Sequence, residues 1–225
     1  MPVSLHVWRV PRRRLGAALL RMARDPRAVR ARPGVRFAKF LGTGTGTSFG
    51  PGDADLTRFA AVIAAPQIPI FPRWDEISDS SATVELTPLH SRGTWSGQRP
   101  FEPSAVDRSD GMVLALTRAR LRPARALTFW RAVPPVAAEL HAAPGLLARF
   151  GIGEAPIGWQ GTVTVWRGTA DLLGFAYRQP QHRAVIARTP TDNWYAEDLF
   201  ARFAIRDISG DRAVLGWREG GQARR

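Results

Sequence analysis

The sequence predicts an α+β fold in which duplicated ferredoxin-like βαββαβ units form an α/β barrel. The main observation is an internal echo. Pro33-Gly34 is followed by Gly42, and Pro144-Gly145 by Gly153, each pair enclosing an apolar, strand-like run, Val35 to Leu41 and Leu146 to Ile152. The offset is 111 residues of 225, and Leu5–Pro11 corresponds loosely to Leu116–Pro123. An offset near half the length signals a repeated unit. The second observation is that the hydrophobic periodicity gives both halves the same order of elements. The third is composition. A chain with 44% hydrophobic and 23% charged residues is an ordinary globular one, long enough for one large domain or two halves sharing a core.

In the first half, Val3–Val10 reads as a strand and Leu15–Ala23 as an amphipathic helix ending near Pro26. Val35–Thr43 and Phe59–Ala64 are strands, Pro72–Ser78 a short helix and Ala82–Leu89 a strand. In the second half, Met112–Arg118 is a strand, and Ala124–Ala143 a helix with a break at Pro134-Pro135. Leu146–Gly153 and Gly161–Trp166 are strands, the latter rich in strand formers. Thr169–Tyr177 and His182–Thr189 are helices, and Leu199–Ile205 closes as a strand. The expected organisation is therefore a first half over 1–91, a linker or lid over 92–110 and a second half over 111–225. Gly, Pro and Ser dominate the linker.

There are no cysteines, which excludes disulfides, thiolate metal sites and a cysteine nucleophile. No run of about 18 apolar residues occurs, and the N-terminus lacks the order of a secretory signal. A cytoplasmic location, with or without contact at a membrane surface, is the expectation. Net charge is +13, carried by arginines and a single lysine, Lys39. Ten arginines lie between Arg9 and Arg36, where the only acid is Asp25. A positive face suits a polyanion, anionic lipid or an acidic protein. The charges are dispersed and form no basic tail, so arginine-rich composition alone is the simpler reading and no nucleic acid is expected.

The stretch Gly42-Thr43-Gly44-Thr45-Gly46-Thr47-Ser48-Phe49-Gly50 lacks the lysine ending of a phosphate-binding loop and the spacing of a dinucleotide site. Gly46–Gly50 matches GxSxG, but Pro51-Gly52-Asp53 follows where a nucleophile elbow needs a helix. A plain loop and a turn lining a pocket remain open, glycine being the residue that lets backbone approach a ligand. Of the four histidines, His6, His90, His141 and His182, none has the spacing of a mononuclear zinc or non-haem iron site. A haem needs only one. His182 is best placed, with Val185 and Ile186 on its helix face; His141, at the end of another helix, suits a helix dipole equally. Trp95, Trp130, Trp159, Trp166 and Trp194 fall at strand ends or beside loops, where flat side chains serve core packing or an apolar ligand. Glu197 and Asp198 read better as ion-pair partners of arginine than as an acid pair.

Several blocks carry a resemblance: Leu41–Gly46, Gly93-Thr94-Trp95-Ser96-Gly97, Thr117-Arg118-Ala119 with Arg122-Pro123, Phe129-Trp130, Gly151–Ile157 running into Gln160-Gly161-Thr162 and Trp166, and Trp194–Phe203. In this order they resemble the spheroidene monooxygenase family of carotenoid-oxidising proteins. The resemblance implies a barrel of the dimeric α/β type and haem b as cofactor. It also implies O2 and reduced ferredoxin as co-substrates, and oxygenation at C-2 of an acyclic carotenoid. In haem proteins of that barrel type the proximal histidine lies in the second half, which favours His182 as the iron ligand, with His141 next. Gly44 and Trp95 are then expected to line the cofactor. Arg118, Gln160, Thr43 and Thr45 are candidate donors on the oxygen side, because a neutral imidazole gives less push than a thiolate. A non-catalytic haem or apolar-ligand binder, and a haem-dependent dehydratase or lyase on the same barrel, stay open as alternatives.

Overall fold

The computed structural model describes residues 1–50, 52–104, 111–154 and 159–218; the side chains of residues 159, 181, 182, 186, 189 and 190 lie outside that description. The first half contains β1 (Val3–Arg9), α1 (Leu15–Arg30), β2 (Phe37–Gly44), β3 (Ala54–Ala64), the single turn α2 (Pro72–Asp75) and β4 (Ser80–Gly93). The second contains β5 (Val113–Leu121), α3 (Ala126–Ala142), β6 (Leu146–Gly153), β7 (Trp159–Trp166), α4 (Thr169–Arg178), α5 (Pro180–Asp192) and β8 (Tyr195–Gly210). All neighbouring strands are antiparallel, and they close a barrel in the order β1-β3-β2-β6-β7-β5-β8-β4. The first half thus contributes β4-β1-β3-β2 and the second β8-β5-β7-β6, the same order twice. The halves meet at two seams, β2–β6 and β4–β8.

The duplication extends below the level of strands. A 3-10 turn, Arg12–Arg14 or Pro123–Arg125, precedes α1 and α3 alike. Gly93 and Gly210, ending β4 and β8, both have φ 83°. In each case a Cβ would collide with a backbone carbonyl across the seam, Asp198 or Ser81. The next residue donates its N–H to that same carbonyl, Thr94 to Asp198 O and Asp211 to Ser81 O, both at 2.8 Å.

Alternate residues of every strand point inward, as a pleated sheet requires. Val3, Leu5, Val7, Phe37, Leu41, Val62, Val84, Leu114, Leu116, Phe150, Val163, Leu199 and Phe203 belong to one buried interior cluster. Trp95 and Phe101 join it at the lower end, where β1 and β2 begin; Val214 and Leu215 join it from the segment after β8, at the upper end. The expected linker is accordingly tied down over its described part. Residues 92 and 93 extend β4, and Trp95 is fully buried. Residues 105–110, the rest of the expected linker or lid, lie outside the described residues.

Several helices differ from the sequence reading: α2 stops at Asp75, short of Ser78, and α5 extends beyond His182–Thr189 at both ends. α1 runs through Pro26 to Arg30, and α3 runs unbroken through Pro134 and Pro135. A proline inside a helix costs about 3 kcal/mol in isolation. Tertiary anchors on either side of Pro26, Asp25 accepting from Trp74 Nε1 at 2.9 Å and buried Val29, and beyond Pro135, buried Ala137 and Leu140, offset that. β8 is also much longer than expected, because its far half pairs with β4 across the seam.

Candidate functional site

The two outer faces of the barrel are built from different residues. In the first half, Trp8, Phe40, Phe59 and Ile63 on the sheet meet Ala18 and Val29 of α1 and Phe71, Trp74 and Ile77 beside α2 in one buried cluster. His6 stacks on Trp8 with ring centroids 5.7 Å apart, and Trp8 stacks on Trp74 at 4.8 Å. In the second half buried Trp194 packs against Phe129 of α3 at the lower end, and a buried cluster covers the upper part of the face: Val113, Ala115, Leu140, Ala143, Leu146, Trp166, Leu172 and Phe175. Below it the sheet presents small or polar residues, namely Thr117, Ala119, Thr162, Gln160 and the glycines Gly151 and Gly153. Above this floor stands the first half of α3, whose Phe129, Trp130 and Val133 are only half-buried. α5, bearing His182, packs against α3 and α4.

Among those with described side chains, the sequence-derived site residues do not converge. Of these, Gln160 alone lies on this outer face, its Oε1 accepting from Trp130 Nε1 at 3.1 Å. Arg118, the inward neighbour of Thr117, is 3% exposed inside the lower barrel end. There it donates to Glu154 Oε1 from Nε at 3.0 Å and Nη2 at 2.8 Å, and to Glu197 from Nη1. Trp95 belongs to the same network, with Nε1 donating to Glu154 at 2.7 Å and its ring under the Arg118 guanidinium. Lys39 completes it, bonded to Glu154 Oε2 at 2.6 Å and Ser96 Oγ at 2.7 Å. Burial works to raise both carboxyls. For Glu154 it is outweighed chiefly by Lys39 and Arg118, so the pKa is lowered. For Glu197 it is outweighed by the Gly97 N–H, Arg118 and Thr94, which bring it down to about 2. Two cations and two anions are thus mutually satisfied, and the network joins β2, β5, β6, β8 and the segment after β4. Lys39 and Glu154 were missed in the sequence. A lone lysine between inward-facing Phe37 and Leu41 was the available signal.

Thr43 points inward near the upper end, where its Oγ1 accepts from Arg58 Nε at 3.0 Å and donates to Arg58 O. Arg58 also reaches Gly44 O and, at 3.2 Å, Val214 O, and burial pushes its pKa down to about 10. Thr45 is exposed and donates to Asp53. The same carboxylate accepts the backbone N–H groups of Gly46, Thr47, Ser48 and Phe49 at 3.0–3.3 Å. The glycine turn is therefore an anion nest filled by its own aspartate. A Cβ on Gly44 would lie 3.0 Å from Asp53 O and 3.5 Å from Gly151 Cα, so its glycine character has a packing cause at the β2–β6 seam.

Three histidines have defined surroundings. His6 is buried between Ser4 Oγ, 2.9 Å, and Thr83 Oγ1, 3.1 Å, and burial lowers its pKa to about 3. His141 Nε2 lies 3.2 Å from Gly46 O. His90 is exposed on β4 beside Phe200. His182 lies on α5, its side chain outside the described residues. A flat, largely apolar macrocycle fits the second-half face. The centre of the floor is small and polar, bordered by Phe200 opposite Thr117 and by buried Trp194, half-buried Phe129 and Trp130 stand over it, and Arg202 Nε, level with Ala115 on β8, is buried with no hydrogen-bond partner.

Taken together, these features define an α/β barrel of two ferredoxin-like halves, one packed shut on its outer face and one suited to a ligand. An aldoxime dehydratase of known structure matches 92% of this chain and 81% of its own with a TM-score of 0.54 and 12% identity, a likeness of fold. No family model matches the chain. Spheroidene monooxygenase of Rhodobacter capsulatus is 33% identical over 189 residues, covering 79% of this chain and 78% of the relative. The Rubrivivax gelatinosus protein of the same name is 33% identical over 189 residues, 79% and 72% of the two chains. That of Cereibacter sphaeroides is 30% identical over 192 residues, 79% and 58%. The chain belongs to the spheroidene monooxygenase family.

Proposed function

We propose that this protein is a haem-dependent monooxygenase that oxygenates C-2 of an acyclic carotenoid of the spheroidene type. The observation that carries the reading is the 33% identity to a spheroidene monooxygenase over 189 residues. The unequal outer faces support placing the chemistry in the second half. Haem b, when bound there, supplies activation of O2 at its iron. His182 of α5 would hold the iron, the other three histidines being packed, bonded to a carbonyl or on the open surface of β4. Phe129, Trp130 and Val133 exclude water and lie along the polyene, so the chain end is held and the rest is shielded. Gln160 is held through its Oε1 by Trp130, which leaves its amide N–H groups to donate to oxygen. Arg202, whose Nε is buried without a partner, would pair with a carboxylate of the macrocycle. Arg118, Thr43 and Thr45 hold the barrel ends and the glycine turn, as their bonding supports.

The balance is a substrate C–H, O2, two electrons and two protons giving C–OH and water. Reduced ferredoxin supplies the electrons. A second hydroxylation at the same carbon and loss of water give a ketone.

Purified protein should take up haemin, show a Soret band that shifts with CO after reduction, and convert an acyclic carotenoid only with O2 and reduced ferredoxin. His182→Ala should stay folded and lose the band. A colourless wild type after haemin addition overturns the reading. Loss of the band in His141→Ala but not His182→Ala moves the ligand to α3.

A further inference from the structure

The outer side of α1 is unlike an ordinary solvated helix face. Ala18 and Val29 mark the side packed on the sheet, and Asp25, the only acid of the helix, is bonded to Trp74. On the opposite side Leu19 and Leu20 are 61% and 50% exposed, among exposed Arg24, Arg27 and Arg30. The exposed Arg12–Arg14 turn lies at the start of the helix. There Arg12 and Leu15 share a shallow depression with Leu56, itself 73% exposed, and with Asp55, which is ion-paired to Arg9. At 100° per residue, Leu20, Arg24, Arg27 and Ala23 fall on one continuous stripe, with Leu19 and Arg30 along its edge.

We infer that this face of α1 docks on an anionic lipid surface, with the leucines entering the headgroup boundary and the arginines meeting phosphates. The inference deepens the proposed function, since a lipid-dissolved carotenoid must be collected from a bilayer. Charge complementarity selects the occupant. A second copy would set two arginine-rich faces against each other, since the acids beside this face, Asp25, Asp55 and Asp79, are already bonded to Trp74, Arg9 and Arg13. A soluble polyanion would match the arginines but leave the leucines in water. A basic helix with an apolar component lies in the interface plane, and no helix among the described residues is long and apolar enough to cross a membrane.

The test is co-sedimentation of the full chain with vesicles of phosphatidylglycerol mixed with phosphatidylcholine, against phosphatidylcholine alone, over a salt series. The protein should bind the anionic vesicles and release as salt rises. The triple variant Arg24→Gln, Arg27→Gln, Arg30→Gln should bind on the order of a hundredfold more weakly. Leu19→Ser with Leu20→Ser should bind on the order of tenfold more weakly, with unchanged circular dichroism and melting. Equal affinity for both vesicle types, or a leucine variant that binds as wild type, overturns the inference. So does a change of oligomeric state in the same variants, which would make the face a contact between copies, or equal capture by a short DNA duplex. Because lipid binding is read without substrate or turnover, a colourless protein that still binds the vesicles would sink the monooxygenase reading and leave this one standing.

Discussion

The two halves share one topology and differ in what covers their outer faces. The first half spends its large aromatic residues there. Trp8, Phe40, Phe59, Phe71 and Trp74 fill the space under α1 and leave no floor for a ligand. The second half puts threonine, alanine and glycine at the comparable depth and leaves Phe129 and Trp130 of α3 half-buried. The duplicated fold thus carries two differently built faces. One copy is filled under α1 by aromatic rings, while the other, over its described residues, is lined at that depth by small and polar side chains.

The largest test of that contrast is a pair of truncations. Trp8→Ala should destabilise the protein by about 3–5 kcal/mol, the usual cost of removing a buried aromatic. Trp130→Ala should cost roughly 1 kcal/mol or less in the haem-free protein, yet reduce haem retention and turnover. Chemical denaturation of both, with and without haemin, reads the difference. Equal losses of stability would mean that the second face is packed as tightly as the first.

Gly44→Val probes the seam between the halves. The Asp53 carbonyl and Gly151 backbone leave no room for a branched side chain, so a loss of about 3 kcal/mol in the haem-free protein is expected. If melting is unchanged while haem content falls, the turn belongs to the ligand site rather than to the seam.

The smallest effect belongs to pH. His6 titrates near 3 in the folded protein because burial opposes its charge, against about 6.5 when unfolded. Its folded pKa is depressed, so its contribution to stability is complete above about pH 6.5 and is lost as pH falls toward 3. At pH 5 the loss is about 2 kcal/mol relative to neutral pH. His6→Phe should flatten the stability profile between pH 6.5 and 4, measured by denaturant midpoint; an unchanged slope would place the acid sensitivity elsewhere.

The repeat was legible in the chain because it rests on local signals: the Pro-Gly pairs before β2 and β6, and the alternation in β1 and β5. The element types followed from periodicity for the same reason. The site was legible only in part. Gln160 lies in a family block and His182 was favoured by the implied barrel type alone, but strand parity decides the side of the sheet. One position along β5 separates Thr117, outside, from Arg118, inside, and no local signal fixes that parity when both faces are partly polar.

By itself, then, the sequence determined a duplicated α+β barrel, its lack of thiol chemistry and its family, since all three are written in local pattern and residue identity. Only the tertiary structure decided that Arg118 is bound with Glu154 and Glu197 at a barrel end, that Asp53 fills the glycine turn, and that three prolines sit inside unbroken helices. Each depends on partners far away in the chain. It also decided which half is packed shut, because side-chain volume becomes packing only when helix and sheet are brought face to face.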